Sequence, residues 1–442
     1  MRDDIDSSFP EHLATVRRRT DAALVAHGLD GVAVYAGCPA YAFLDDHTYP
    51  YLANPHFKQW APLTDAPHSF ICYVPGSKPV LCFHQPADYW HRPPDLPDEA
   101  WLGEFQVEIV RDPSAARDLL RLGRGRIAFI GEWQQEFAAW GFAAVNPPGL
   151  LNQLHYDRAV KTPYEIDCMR RASAMAARGH IAARDAFLAG ASEFETHLAY
   201  CAATGLQERE LPYGNIIAFN EGAAVLHYQH LDRSRGGPRR SFLIDAGAQF
   251  RGYAADITRT YAAGDAGFAA LVEAMDTVQQ KLCTAIRSGT DYRDVHLLAH
   301  RLIAGLLRDA DVIDCDADTA VATGLSGVFF PHGVGHLLGL QVHDVAGLAR
   351  DASGTEIPRP PGHPYLRLTR TLQPGFVVTV EPGIYFIDLL LDAARAGQHG
   401  PMIRWDTVER LRPFGGIRIE DDVVCTAGAP ENLTRKAFAA LA

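Results

Sequence analysis

The spacing of apolar residues divides the chain into an N-terminal third of short strands and a longer remainder of helices and apolar strands that end in acids. Leu13, Val16, Ala23 and Leu24 recur at helical spacing and Gly28 stops the run, which predicts a helix over residues 11–27. Residues 31–37 predict a short buried strand, and 126–131 another. The apolar runs 69–74 and 79–83 flank Pro75-Gly-Ser-Lys-Pro79, a hairpin signal. Residues 41–60 are aromatic and irregular. They read as a packed surface loop or, more sharply, as a segment that meets a ligand or another subunit.

A boundary falls near residues 155–163, which predicts domains over 1–158 and 159–442. Thr162 can cap a helix, Pro163 suits its first position, and Glu165 can reach back to complete a capping box. An Ala-rich helix then runs to about residue 188. Four β-rich segments follow, at 241–246, 256–261, 376–381 and 416–425, with helices between them. The basic run 233–240 contains Gly-Gly-Pro and reads as a solvated loop. Residues 387–405 have no assignment.

The acids in those β segments carry the chemistry. Asp245 ends one apolar strand and Asp256 starts the next; the two strands can pair as a hairpin around Gly247 and Gly252. Glu381 ends a third strand. Glu420 lies within a fourth, where alternation puts it on one face with Arg418. One such carboxylate has a dull explanation, solvent or a turn. Four in strongly apolar strands cost several kcal/mol each (of order, in an apolar setting) unless paired or metal-bound. Arg418 and Arg259 are too few to neutralise them. His332, His336 and His343 fall within twelve residues, among Gly333, Gly335 and Gly339. The glycines predict a tight loop, and the histidines favour ligation or acid–base work. The 332/336 spacing is that of a zinc-protease pair, but Gly333 stands where that motif needs Glu. Two Asp, two Glu and one His suit two divalent ions, Mn²⁺ or Co²⁺ ahead of Zn²⁺.

Composition adds limits. The 442 residues are 48% hydrophobic and 21% charged, as in globular chains, and a formal charge of −12 disfavours nucleic-acid or anionic-membrane partners. The eight cysteines are scattered, the start is acidic, and no apolar run is long enough to span a bilayer. A reduced, cytoplasmic protein is expected.

Taken in order, Ile244-Asp245-Ala-Gly, Asp256-Ile-Thr, His332-Gly-Val-Gly-His336, Glu381-Pro-Gly and Arg418-Ile-Glu420-Asp resemble the pita-bread metallopeptidases. Phe43-Leu-Asp-Asp-His-Thr-Tyr-Pro-Tyr and Gly339-Leu-Gln-Val-His-Asp-Val are similar to the long bacterial X-Pro dipeptidase (prolidase) branch of that family. The resemblance implies a small α/β creatinase-like domain followed by an α+β pita-bread domain. It implies five metal ligands, Asp245, Asp256, His336, Glu381 and Glu420, with Asp256 and Glu420 bridging. Glu381, His332, His343, His227 and Arg418 become catalytic-site residues, with Arg418 steadying Glu420. Arg367 becomes the clamp for a free proline carboxylate, and Tyr213, His227 and His343 substrate contacts. Asp45 becomes a cap on the partner's site in a homodimer. The implied reaction is hydrolysis of X-Pro dipeptides. Alternatives on the same fold are organophosphate hydrolysis, cleavage of longer X-Pro peptides, and a metal-free interaction module.

Overall fold

The computed structural model describes residues 4–120, 122 and 125–441. Its contacts form two compact units, Met1–Cys168 with Arg251–Tyr253 and Arg350–Thr355, and Met169–Phe250 with Ala254–Ala349 and Glu356–Ala442.

The first unit is built on a six-stranded sheet. Its strands are β1 (Gly31–Tyr35), β2 (Phe70–Tyr73), β3 (Val80–His84), β4 (Gln106–Val110), β5 (Ile127–Ile130) and β6 (Ala144–Val145), in the order β4-β3-β2-β1-β5-β6. The expected hairpin is present, β2 antiparallel to β3, and β1 runs parallel to β5. Alternate residues Ala33 and Tyr35 join Phe70, Cys72, Cys82 and Phe129 in one buried cluster, the period-2 consequence of a pleated strand. The helix Phe9–Ala26 buries Leu13, Val16, Ala23 and Leu24, as their spacing predicts. Residues 41–60 differ from expectation in two ways. Pro55–Trp60 is a helix, capped by the Asn54 side chain accepting from the His56 N–H. The loop before it is not packed down, with Phe43 89% and Leu44 90% exposed.

The helix Pro163–Leu188 starts with the predicted box. The Thr162 N–H donates to Glu165 Oε2 (2.7 Å) and the Glu165 N–H to Thr162 Oγ1 (3.4 Å).

In the second unit, short strands bring the acids together. The strand Ser241–Asp245 lies between Ile216–Phe219 and Thr258–Ala262, both antiparallel to it. Val377–Val380 pairs with Asp421–Val424, and Gly383–Tyr385 with Gly416–Arg418. The predicted strand 416–425 is thus two strands with Glu420 at the break, and the strand expected from Asp256 begins at Thr258. The unassigned stretch holds the helix Asp388–Ala396, and the helix Trp405–Leu411 begins at its end. Among the described residues no helix is long and apolar enough to cross a membrane.

Candidate active site

Strand register makes the acids neighbours. Thr258 pairs with Asp245 and also bridges to Glu420, so two acids flank one threonine. Asp256 lies two residues before Thr258, and Glu381 directly follows Val380. His336 arrives on the glycine-rich loop. Its N–H donates to Thr379 Oγ1 (3.2 Å) and its carbonyl accepts from the Thr379 N–H (3.0 Å). Gly335 is required there, because at φ +156° an added Cβ would overlap the Thr379 carbonyl and the Tyr292 hydroxyl.

The donor spacing suits metal ions. His336 Nε2 lies 3.4 Å from Asp256 Oδ2 and 3.6 Å from Glu381 Oε1. Two donors each about 2.1 Å from one ion at a near-tetrahedral angle stand about that far apart. Asp256, His336 and Glu420 together offer three ligand atoms within 4.8 Å of one another, all on buried residues.

Local partners hold these acids in place. Arg418 Nη2 donates to Asp245 Oδ2 (2.7 Å), Nη1 to the Tyr385 hydroxyl (2.9 Å) and Nε to Thr258 Oγ1 (3.1 Å). The Thr258 hydroxyl donates in turn to Glu420 Oε2 (2.8 Å). Arg418 therefore pairs with Asp245 and is linked to Glu420 by hydrogen bonds through Thr258 and by its charge. The side chain of Tyr213 lies 2.7 Å from Asp245 Oδ1 and 2.6 Å from Asp256 Oδ1. It bridges the two acids and is not among the residues lining the cavity.

Burial opposes charging this many acids, and the pKa directions follow. Glu381 is pushed up to about 7, by burial first, with Asp256 and Asp245 adding and His336 and Arg418 opposing. Burial and the neighbouring acids also raise Glu420 and Asp245, the latter against Arg418. Asp256 is the exception: burial would raise it, but hydrogen bonding and charge from His336 hold it below the usual range. An acid raised by neighbouring acids is the signature of a site short of positive charge. The five residues thus fit divalent ions in number, chemistry and spacing.

A cavity of about 520 Å³ opens on these groups. Its lining includes all five expected ligands with His227, His332, His343, Arg367 and Arg418. His332 offers no free nitrogen: Nδ1 is 2.8 Å from the Gly333 carbonyl and Nε2 2.8 Å from the Tyr385 hydroxyl. His343 stacks edge-on to His336, and burial holds it down to about 4, so it is neutral near pH 7. Among the described residues Arg367 has no carboxylate partner. Asp45 lies on the first unit's exposed loop, with its Oδ1 accepting from the His47 N–H (3.2 Å), and is not part of this lining.

Several residues escaped the sequence reading. Asp421 and Asp422 are fully buried, Asp421 between Arg259 and Arg435 (2.7 Å each), and Asp422 accepting from the Asp256 N–H. Arg259 is thereby committed to Asp421 rather than available to the metal-facing acids. Tyr385 links Arg418 to His332, and Ile387 and Leu390 supply an apolar wall. The run Glu420-Asp-Asp was a signal for the first two; nothing local marked the others.

Removing metal therefore leaves a pH-dependent penalty. Glu381's ordinary value is 4.5 and its folded value about 7, so the metal-free fold holds that proton more tightly than the unfolded chain. Its contribution is present below pH 4.5 and lost as pH rises through 7. The rise in Tm on adding Mn²⁺ to chelated protein should be larger at pH 8 than at pH 5.5, read by thermal scans. An equal rise at both pH values would count against the ligand set.

With this arrangement, the chain belongs to metallopeptidase family M24, whose model matches residues 167–427. Residues 7–156 match the model described as the Xaa-Pro dipeptidase N-terminal domain. The chain is 51% identical over 441 residues to a Xaa-Pro dipeptidase of Stenotrophomonas maltophilia (strain K279a), covering 100% of this chain and 99% of that one. It is 52% identical over 434 residues to a Xaa-Pro dipeptidase of Xanthomonas campestris pv. campestris (strain B100), covering 98% of each. Among solved structures, aminopeptidase PepP of Pseudomonas aeruginosa shares the fold, with TM-score 0.73, 24% identity, and 97% and 98% of the two chains covered. Proline aminopeptidase P II from Yersinia pestis aligns with TM-score 0.72 and 25% identity over 96% of each chain. The small N-terminal α/β domain and C-terminal pita-bread domain are those expected.

Proposed function

We propose that this chain is a dinuclear-metal Xaa-Pro dipeptidase that releases an amino acid and proline. The observation that carries the reading is Arg367, a guanidinium without a carboxylate partner in the cavity that holds the five ligand-type residues. A chain similar over its whole length to Xaa-Pro dipeptidases provides the context. Asp245, Asp256, His336, Glu381 and Glu420 would hold the ions. The oxygen-rich set favours Mn²⁺, with Co²⁺ or Zn²⁺ as substitutes.

Bound divalent ions supply Lewis acidity and a nucleophilic water near neutral pH. The protein supplies the rest. Arg367 accepts the substrate's C-terminal carboxylate in a charge-assisted pair. His343, neutral, donates an N–H toward the developing oxyanion, and His227 lines the same wall. Glu381 takes the proton from water and passes it toward the leaving imide nitrogen. Arg418 and Tyr213 keep Asp245 and Asp256 in place, and His332 presents a ring fixed through Tyr385.

Two further features belong to the proposal. The chain acts as a homodimer in which the exposed loop around Asp45 caps the partner's cavity. All eight cysteines are free, which supports a reducing, cytoplasmic setting.

Substrate length tests the reading. With Mn²⁺ present, kcat/KM for Leu-Pro should exceed that for Leu-Pro-Gly by about tenfold or more, the worth of a lost hydrogen bond between charged groups. Equal rates on both would contradict the dipeptidase reading and favour cleavage of longer peptides.

A further inference from the structure

Residues of the loop that carries His336 border two cavities. One is the metal-type cavity. The other, of about 450 Å³, is lined by Phe330, Pro331 and His332 of the loop and by His296, His300 and His363.

These three last histidines look at first like a metal site. Their ligand atoms lie within 4.8 Å of one another, and the ring centroids are 4.5–4.7 Å apart. Hydrogen-bond direction argues otherwise. The Val334 N–H can only donate, and it points at His296 Nδ1 (3.3 Å). With Nδ1 an acceptor, a neutral His296 carries its proton on Nε2. That N–H donates to His363 Nδ1, 2.9 Å away. His296 Nε2 then has no lone pair to give a metal. Burial, reinforced by His300 and His363, holds His296 down to about 2, so the neutral ring is the state present.

Val334 is where this chain acts. Its carbonyl accepts the Glu381 N–H (2.8 Å), and it stands two residues before His336. One peptide segment thus connects His296 to two of the proposed ligands. The same face of helix Tyr292–Asp309 makes a parallel contact one turn earlier, where the Tyr292 hydroxyl donates to the Thr379 carbonyl (2.7 Å).

We propose that His296 is a positioning residue for the metal centre. It holds the Val334 N–H and so sets His336 and Glu381, while His363 fixes the tautomer this requires. The inference rests on the two-metal reading of the site.

The test is Mn²⁺ binding by equilibrium dialysis, alongside the Tm of metal-free protein. His296→Leu should weaken Mn²⁺ affinity about 10–100-fold, as loss of a group supporting a ligand does. His296→Asn keeps an acceptor where Nδ1 stands and should recover affinity to within about threefold, with one hydrogen bond at stake. His363→Ala, at a partly buried position, should weaken binding about two- to tenfold. Metal-free Tm values close to wild type would separate positioning from general unfolding. Unchanged affinity in both His296→Leu and His363→Ala overturns the proposal, as does an Asn variant no better than Leu. A third equivalent of Zn²⁺ in wild type, lost in His300→Ala, would also overturn it by making the cluster a metal site. A wild type that binds no Mn²⁺ defeats the two-metal reading itself, whereas normal wild-type binding with unaffected variants defeats only this inference.

Discussion

Glu381→Gln should lower kcat on X-Pro dipeptides by about 10⁴-fold, the upper range for loss of a general acid–base group. Two roles fall together on this carboxylate. It lies 3.6 Å from His336 Nε2, within the ligand set, where one carboxylate can both hold an ion and accept a proton from water. The amide keeps the shape and one oxygen but cannot accept the proton. Steady-state kinetics at saturating Mn²⁺ check this, with bound metal measured on the same sample. A loss that excess Mn²⁺ repairs would make Glu381 a ligand only. A kcat within tenfold of wild type would remove it from the reaction.

Arg367→Ala should cost about 10–100-fold in kcat/KM for dipeptides, because Arg367 is exposed in the free chain and losing a hydrogen bond between charged groups costs about 1.5–3 kcal/mol. The loss should be confined to substrates with a carboxylate on the proline. Dipeptide amides, already lacking that charge, should be cleaved by the variant and the wild type within about fivefold, leaving only modest packing changes. Lysine at this position would restore charge but not the planar fork, and should recover only part of the activity. Equal losses on dipeptides and their amides would mean that Arg367 supports the cavity wall rather than reading the carboxylate.

Glu381 was visible in the linear chain for a physical reason, whereas Arg367 came only from the family resemblance. A carboxylate at the end of a run such as Phe376-Val-Val-Thr-Val380 conflicts with its surroundings, and such conflicts gather at functional sites. Periodicity located a helix over 11–27, found at 9–26, and turn and capping residues located the β2–β3 hairpin and the box at Thr162–Glu165, where local sequence decides structure. What stayed hidden depends on contacts far apart in sequence. Arg418 and Glu420 share a strand face in the alternation pattern, yet a break at Glu420 sends Arg418 to Asp245, 173 positions away. The Asp421 pairing with Arg259, 162 positions away, was equally long-range, while Arg435 joins it from 14 positions on. Tyr213 was expected at the substrate, yet its hydroxyl sits on Asp245 and Asp256, and Tyr385 resembled an ordinary core aromatic until its hydroxyl was seen on Arg418. The helix at 388–396 was obscured because it buries little beyond Leu391 and Ala394.

The central claim is that these carboxylates and His336 hold two metal ions that support hydrolysis. Metal content of purified wild type and Asp256→Asn, reconstituted with Mn²⁺ and assayed on one X-Pro dipeptide, tests it most directly. The account predicts two equivalents per chain in the wild type, fewer in the variant, and hydrolysis in the wild type alone. A wild type that takes up no metal and stays inactive with Mn²⁺, or a variant that keeps both ions and full activity, would contradict it.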